Sequence, residues 1–232
     1  MPAPYKHLFF DLDHTLWDFD RNSAESIAEL YDTFALADLG ISSVDTFSNH
    51  FIRINKQLWA DYDKNLITHG YIRENRFPMV FQAMGVDCGN IHLAMNDEYL
   101  QLLPRKKHLL ESAQDVLDYL QHRYQLHIIT NGFADIQAIK LESAGITHYF
   151  EHIVTNGVVN AKKPDPAIFQ YALDISGASA SESLMIGDNY EADILGGKRA
   201  GLDTLFYDQL GTPVDESPTY TIRHWRELMA IL

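Results

Sequence analysis

Four short polar segments of this 232-residue sequence carry side chains whose types and spacing could do chemistry. They are Asp11–Thr15 (DLDHT), Thr130–Gly132 (TNG), Ala161–Pro164 (AKKP) and Gly187–Asp193 (GDNYEAD). We interpret each as the end of a strand. In an open parallel sheet, ligands bind beyond the carboxyl ends of the strands, so we expect the four segments to meet at one edge. Together they would supply carboxylates, a hydroxyl, an amide and an ammonium to one site.

The acidic residues of these segments predict a metal-assisted phosphoryl site. Asp11 and Asp13 would point the same way if the strand continued, and two carboxylates that close need a cation to stay ionised. Asp188 would add a third oxygen ligand, and Mg²⁺ favours a few carboxylates with water and substrate phosphate. A bound phosphoryl group would meet the hydroxyl of Thr130, the backbone N–H groups around Asn131 and Gly132 at a helix start, and one lysine. One carboxylate could then attack phosphorus and form an aspartyl-phosphate, while the other donates a proton to the leaving oxygen and later activates water.

The elements that must position these residues follow two patterns. The apolar run Lys6–Phe10 predicts a buried strand. Residues 17–104 show helical periodicity without a convincing strand, and predict helices over Asn22–Leu39, Thr46–Asp63, Thr68–Met84 and Asn90–Leu102. After Pro104 helices alternate with strands, which is typical of a parallel sheet with crossover helices. The predicted later strands are Gln125–Ile129, His152–Val154, Ser183–Ile186 and Thr204–Tyr207, and an α-helix is predicted over Tyr190–Ala200 between the last two. We therefore predict an α/β fold, a doubly wound parallel sheet in residues 1–16 and 105–232, with an all-helical insertion over residues 17–104.

Composition and charge exclude several classes of function. Lys and Arg number 18 against 32 Asp and Glu, a formal net charge of −14, which disfavours binding to a nucleic-acid polymer. Cys88 is the sole cysteine, so no disulfide can form within the chain, and we expect no reactive thiol there. We find neither a signal-peptide core nor an 18-residue apolar span, and expect a cytoplasmic protein without a membrane segment. Monomer and homodimer both remain open.

Four segments resemble, in order along the chain, the four motifs of the haloacid dehalogenase (HAD) superfamily. They are DLDHT, Thr130 with the hydrophobic pair before it, Lys163-Pro164 and GDNYEAD. The resemblance implies a HAD-like Rossmannoid core, with Asp11 as the nucleophile and Asp13 as the general acid/base. Thr15 and Thr130 would then orient the reacting groups, and Lys163 would neutralise the phosphate. An aspartate at position 13, where dehalogenases have an aromatic residue, is typical of the phosphatases.

The same resemblance implies a Mg²⁺ site made by Asp11, the backbone carbonyl of Asp13, and Asp188. Asp193 would hold the outer coordination sphere or Lys163. The sequence departs from the superfamily pattern at His14, which stands where glycine is usual. The doubled lysine also makes the catalytic ammonium a choice between Lys162 and Lys163, and the adjoining proline favours Lys163.

Longer segments are similar to the HAD-type pyrimidine 5′-nucleotidases, cytosolic enzymes that dephosphorylate nucleoside monophosphates. These segments are Leu58–Thr68, Ile129–Phe133, Lys140–Phe150, Lys163–Leu173 and Asp193–Gly201. The resemblance implies that the insertion is a C1-type helical cap, which would exclude water and select a small phosphomonoester substrate. Candidate contacts to the base or sugar are Trp17, Trp59, Tyr62 and Arg76.

Two alternative functions stay open at this point. A HAD phosphatase for sugar phosphates or phosphoglycolate would carry the same core motifs, because those motifs do not read the leaving group. A receiver-like signalling module also combines aspartates, Mg²⁺, Thr and Lys, although its phosphoacceptor follows a central strand of the sequence rather than the first. Finally, His148 and His152 lie four residues apart, but no third ligand is spaced to complete a zinc site, so we interpret both as structural.

Overall fold

The computed structural model describes residues 5–232, which form two compact units. The first contains the described residues up to Phe19 together with Lys107–Leu232, and the second is Asp20–Lys106. The unit boundaries thus fall after Phe19 and Lys106, where the sequence analysis placed them after residues 16 and 104. Trp17 explains the shift, because its backbone forms bridges to Asp13 and Leu109 and so keeps this stretch with the first unit.

The first unit is built on a six-stranded parallel sheet with the strand order β3-β2-β1-β4-β5-β6. The strands are β1 (His7–Phe10), β2 (Gln125–Thr130), β3 (Phe150–Thr155), β4 (Ser183–Gly187), β5 (Asp203–Tyr207) and β6 (Tyr220–Ile222). The predicted doubly wound parallel sheet is confirmed. Strand β6 was not predicted, because three residues are too few to show a periodic pattern.

Helices connect the strands and cover the sheet. They are α5 (Ala113–Leu120), α6 (Ala134–Ser143), α7 (Asn156–Val159), α8 (Pro166–Ser176) and α9 (Gly196–Arg199). A core of buried side chains, including Phe9, Ile129, Phe169 and Met185, packs α8 against the sheet. Burial of each such side chain contributes about 1.5–3 kcal/mol, so the ends of β1, β2 and β4 are held firmly in register.

The segment before α9 differs from the sequence prediction of one α-helix over Tyr190–Ala200. Tyr190–Leu195 is a π-helix, and only the following turn is α-helical. The side chain of Asn189 accepts a hydrogen bond from the backbone N–H of Ala192 at 3.0 Å. The N–H of Asn189 donates to the Asp193 carboxylate, also at 3.0 Å. These local bonds replace the regular α-helical start, and π-turns of this kind are frequent at functional sites.

The second unit is helical throughout its secondary structure. After α1 (Phe19–Thr33) it contains α2 (Val44–Asp63), α3 (His69–Met84) and α4 (Ile91–Leu102). Ser43 and Thr68 begin α2 and α3 as N-caps, because their side chains accept hydrogen bonds from backbone N–H groups in the first turn at 3.2 and 3.1 Å. The helices pack around a buried aromatic centre of Phe47, Phe51, Phe77, Phe81 and Tyr99.

Three imidazole rings lie side by side on the neighbouring strands β1, β2 and β3. The ring centroids of His7 and His127 are 5.5 Å apart, and those of His127 and His152 are 5.4 Å apart. Burial and the two neighbouring imidazoles lower the pKa of His127 to about 3, so this side chain is neutral at physiological pH.

Among residues 5–232, no helix has the length and apolar character needed to cross a bilayer.

Candidate active site

Asp11 and Lys163 form the centre of the site at the carboxyl end of the sheet. Asp11 directly follows β1, and its backbone N–H donates to the carbonyl of Ile186 at 2.9 Å. The ammonium nitrogen of Lys163 lies 2.5 Å from Asp11 Oδ1 and 2.7 Å from Asp193 Oδ1, and donates to the carbonyl of Ile129 at 2.7 Å. The Lys163 side chain is 2% exposed, so one buried ammonium is shared between two carboxylates.

Asn131 connects the end of β2 to this lysine. Its amide donates to the Lys163 carbonyl at 2.9 Å and accepts from the Lys163 backbone N–H at 2.8 Å. The paired bonds hold the backbone of Lys163 and so direct its side chain into the acidic cluster. Of the two adjacent lysines, the structure therefore brings Lys163 to the Asp11 carboxylate.

Asp13 lies in a separate hydrogen-bonded arrangement. One carboxylate oxygen is 2.5 Å from the Lys140 ammonium, and the other accepts from the Gln137 amide at 2.9 Å. Burial alone would raise the pKa of Asp13, but the adjacent Lys140 ammonium holds this pKa below its usual range. A continued strand would make the Asp11 and Asp13 side chains parallel, as predicted from the sequence. In the structure β1 ends at Phe10, and the two carboxylates contact different lysines.

Gln137 and Lys140, both on α6, were not predicted as site residues. They are three residues apart and so share one face of the helix. That helix begins four residues after Thr130, but this spacing does not indicate which of its side chains face the site. The Lys140 ammonium also lies 4.4 Å from the centroid of the Trp17 ring, which makes a cation–π contact that holds it in place.

Thr130 and Gly132 lie beside the same amide of Gln137. The Thr130 hydroxyl accepts from Gln137 Nε2 at 2.8 Å and from the Gly132 backbone N–H at 3.1 Å. A Cβ atom at position 132 would overlap the Gln137 amide, which explains the glycine in the TNG segment. Thr130 is 2% exposed, so its hydroxyl is held in one orientation at the end of β2.

Thr15 positions Asp188 across the sheet edge. The Thr15 hydroxyl donates to Asp188 Oδ1 at 2.8 Å, and the Asp188 backbone N–H donates to the same hydroxyl oxygen at 3.1 Å. The carbonyl of Thr15 accepts from the indole N–H of Trp225 at 2.9 Å. Asp188 is thus fixed at both its backbone and its side chain.

His14 has a backbone φ of 62°, in the left-handed region that glycine adopts readily. This conformation accounts for the usual glycine at the equivalent motif position. Its ring centroid lies 4.8 Å from that of Phe19, so the additional bulk packs against an aromatic side chain.

Carboxylate oxygens of Asp11, Asp188 and Asp193 all lie within 4.8 Å of one another. Burial raises the pKa of Asp11 to about 7 and that of Asp188 to about 6, and it also raises the pKa of Asp193. The Lys163 ammonium contacts Asp11 and Asp193, so one positive charge faces a group of three carboxylates and an excess of negative charge remains. This oxygen-only donor set and its charge fit a divalent cation such as Mg²⁺.

Three of the four aromatic or basic residues suggested as base or sugar contacts are buried: Trp17, Tyr62 and Arg76. The guanidinium of Arg76 lies 4.8 Å from the centroid of the Tyr99 ring within the helical unit. The Trp59 ring makes an edge contact with Tyr62 at 5.7 Å. Each packs against its own unit, and a role in substrate binding stays a prediction.

Fold and site together define a hydrolase, and residues 5–201 match the family model of the haloacid dehalogenase-like hydrolases. The chain belongs to this family and is an enzyme. It is 33% identical over 232 residues to the pyrimidine 5′-nucleotidase PynA of Streptococcus pneumoniae, over 98% of this chain and 95% of that protein. It is 32% identical over 228 residues to the pyrimidine 5′-nucleotidase YjjG of Escherichia coli, over 97% and 96% of the two chains. A crystal structure of the HAD-hydrolase YfnB of Bacillus subtilis bound to magnesium aligns with a TM-score of 0.86 at 29% identity, over 98% of both chains.

Proposed function

We propose that this enzyme is a Mg²⁺-dependent phosphatase that hydrolyses nucleoside 5′-monophosphates, with pyrimidine nucleotides preferred, through an aspartyl-phosphate. One observation carries the proposal: two aspartates two residues apart are held by two different buried ammonium groups at one edge of the sheet. Separate partners allow the two carboxylates separate tasks, one as nucleophile and one as proton carrier.

In the first step, an oxygen of the Asp11 carboxylate attacks phosphorus, the new O–P bond forms, and the bond from phosphorus to the ester oxygen breaks. Asp13 gives its proton to that leaving oxygen. The Lys163 ammonium contacts Asp11 Oδ1, so its charge lies beside the nucleophile and lowers the repulsion between that carboxylate and the incoming phosphate. The approach of the phosphate dianion raises the pKa of Asp13 and so favours its loading with the proton.

In the second step, Asp13 acts as a base. Lys140 and Gln137 hold its side chain as a carboxylate, the form that accepts a proton from water. The water oxygen attacks phosphorus, the Asp11 O–P bond breaks, and inorganic phosphate leaves. Asp13 is again protonated and ready for the next substrate.

The remaining residues bind or position. The Thr130 hydroxyl and the backbone N–H groups around Asn131 and Gly132 lie between the end of β2 and the start of α6, where a helix N-terminus favours an anion. Asp11, Asp188 and the backbone carbonyl of Asp13 would hold Mg²⁺, which when bound supplies charge stabilisation to the phosphoryl oxygens. Asp193 orients Lys163 through its 2.7 Å ion pair.

The similarity to PynA and YjjG supports the nucleotide substrate, because both are pyrimidine 5′-nucleotidases and their similarity extends over nearly the whole of this chain. The core residues act on the phosphoryl group and therefore serve any phosphomonoester. Membership in a hydrolase family argues against the receiver-like signalling module.

The test is a panel assay of phosphate release from pyrimidine and purine nucleoside 5′-monophosphates, ribose 5-phosphate and phosphoglycolate. We expect the highest kcat/KM with a pyrimidine nucleotide, and loss of activity in EDTA that added Mg²⁺ restores. Asp11→Asn abolishes turnover and Asp13→Asn nearly does, whereas the control Lys162→Ala is mild. Equal or better turnover of sugar phosphates would refute the nucleotide preference, and activity in Asp11→Asn would refute the covalent route. A long-lived aspartyl-phosphate without steady phosphate release would favour a signalling role.

A further inference from the structure

A second group of potential metal ligands lies on the first unit, away from the candidate active site. It consists of His127 on β2 and of Glu151 and His152 on β3. One ligand atom from each residue lies within 4.8 Å of the other two. His127 precedes Thr130 by three residues, about 10 Å along the strand, and its side chain points to the opposite face of the sheet. The group is therefore separate from the acidic cluster.

An irregularity in β3 brings two adjacent side chains to this place. Leu126 pairs with Phe150, but the next residue of β2, His127, pairs with His152, so Glu151 has no partner on β2. In a regular strand Glu151 and His152 would point to opposite faces. A bulge re-aims a side chain, and here the ligand atoms of both residues come near His127.

His127 has a buried nitrogen that the fold leaves without a partner. Its side chain is fully buried, and Nε2 lies 3.2 Å from His7 Nδ1. Among residues 5–232, Nδ1 of His127 has no hydrogen-bond partner. Buried polar atoms are nearly always paired, so this atom calls for an explanation. When Nε2 donates to His7, Nδ1 carries a free lone pair, and a hydrogen bond from the other ring nitrogen is the usual support of a metal-binding histidine.

We propose that His127, Glu151 and His152 bind one divalent ion of the zinc class, which joins the edge strand β3 to β2. Two imidazoles and one carboxylate form a ligand set that zinc accepts with water in the remaining position. The set differs from the oxygen-only cluster at Asp11, which suits Mg²⁺. Glu151 is exposed and His152 half-buried at the edge of the sheet, so an ion can enter from solvent.

Sequence spacing suggested a different pair. His148 and His152 lie four residues apart in the sequence, with no third ligand at a suitable spacing. In the structure His148 is exposed and its ring lies 4.0 Å from that of Tyr149. The neighbours of His152 come instead from the adjacent strand and from the residue before it. His148 therefore serves as a matched control.

The test uses the full chain, freed of metal and dialysed against Zn²⁺ in the presence of excess Mg²⁺, which occupies the acidic cluster. We expect about one equivalent of Zn²⁺ in the parent protein, in His148→Ala and in Asp188→Asn. His152→Ala and Glu151→Gln weaken Zn²⁺ binding by roughly tenfold or more. Glu151 is exposed, so Glu151→Gln retains the fold if His152→Ala does not. Co²⁺ provides a second readout. A Co²⁺ ion of low coordination number with imidazole ligands gives visible absorption bands, and we expect these bands to disappear in His152→Ala.

Several results would overturn the site. It fails if Zn²⁺ does not bind in excess Mg²⁺, or if His148→Ala weakens binding as much as His152→Ala. Loss of Zn²⁺ binding in Asp188→Asn would assign the ion to the acidic cluster. All of these measurements are independent of phosphate release, so failure of the nucleotidase proposal would leave the zinc site standing, and the reverse also holds.

Discussion

Replacement of Lys163 by methionine removes the buried ammonium and keeps a side chain of similar length. In the structure this ammonium contacts Asp11, Asp193 and the carbonyl of Ile129. Lys163→Met therefore leaves two carboxylates facing each other without a cation. We expect loss of both stability and activity.

The magnitude follows from burial. Removal of one partner from a buried ion pair costs about 3–5 kcal/mol, because the remaining charge is left uncompensated. The Lys163 side chain is 2% exposed and that of Asp193 is fully buried, so the full range applies. For a chain of this size each kcal/mol lowers Tm by about 2–4 °C, which gives a decrease of about 6–20 °C. Loss of a charge that stabilises the transition state slows phosphate release by about 10²–10³-fold.

The assay combines thermal unfolding in EDTA with steady-state phosphate release in Mg²⁺. Lys162→Met is the matched control, because it removes the same charge from the adjacent residue. The Lys162 side chain is half-buried, whereas that of Lys163 is buried. We expect Lys162→Met to change Tm by little and to retain most activity. Addition of Mg²⁺ should restore part of the Tm of Lys163→Met, because the cation neutralises the carboxylates. The reasoning would be refuted by a Lys163→Met protein as stable and active as the parent, or by equal losses in Lys162→Met.

Three further predictions concern other parts of the molecule. Gly187→Ala places a Cβ atom onto the Asp193 carboxylate and should lower the free energy of unfolding, measured in urea, by about 1–3 kcal/mol. The control Gly70→Ala should not lower it, because the nearest contact of the added Cβ is Thr68 Oγ1 at 3.7 Å; equal effects of the two changes would contradict the steric argument. Lys140→Met removes the charge beside Asp13 and should lower kcat on the order of tenfold with little change in KM, and an unchanged kcat would exclude this positioning role. Burial raises the pKa of the Cys88 thiol, so the thiolate fraction is small at pH 7. Labelling by iodoacetamide, measured by intact mass, should therefore accelerate as the pH rises towards and beyond 9, and a labelling rate already maximal at pH 7 would contradict the raised pKa.

Much of the fold was predictable because its signals are local. The apolar runs of β1, β2 and β4 are buried on both faces of the sheet, and such strands stand out as continuous hydrophobic stretches. The predicted helix Thr68–Met84 likewise begins at Thr68, the residue that caps α3. By contrast, β6 has three residues, and the π-helix at Tyr190–Leu195 depends on bonds from Asn189 and to Asp193 that helical periodicity does not reveal.

The candidate site was predictable where its residues follow a strand directly. Asp11 and Thr130 could be found in this way, since parallel strands end at the same edge. Gln137 and Lys140 could not, because a glutamine and a lysine on an amphipathic helix are ordinary surface residues unless their burial is known. Both are buried here, and their chemistry depends on that burial.

The sequence by itself determined which side chains are available at the strand ends and in what order, because strand and helix periodicity depend on residues close together in the chain. The tertiary structure alone decided which of them are partners. Lys163 and Asp11 are separated by 152 positions and Lys140 and Asp13 by 127 positions. Similarly, His127 meets His152 through strand pairing and a bulge. Contacts of this range arise from packing of the whole sheet, which fixes the distances, burial and charge balance that local patterns leave open.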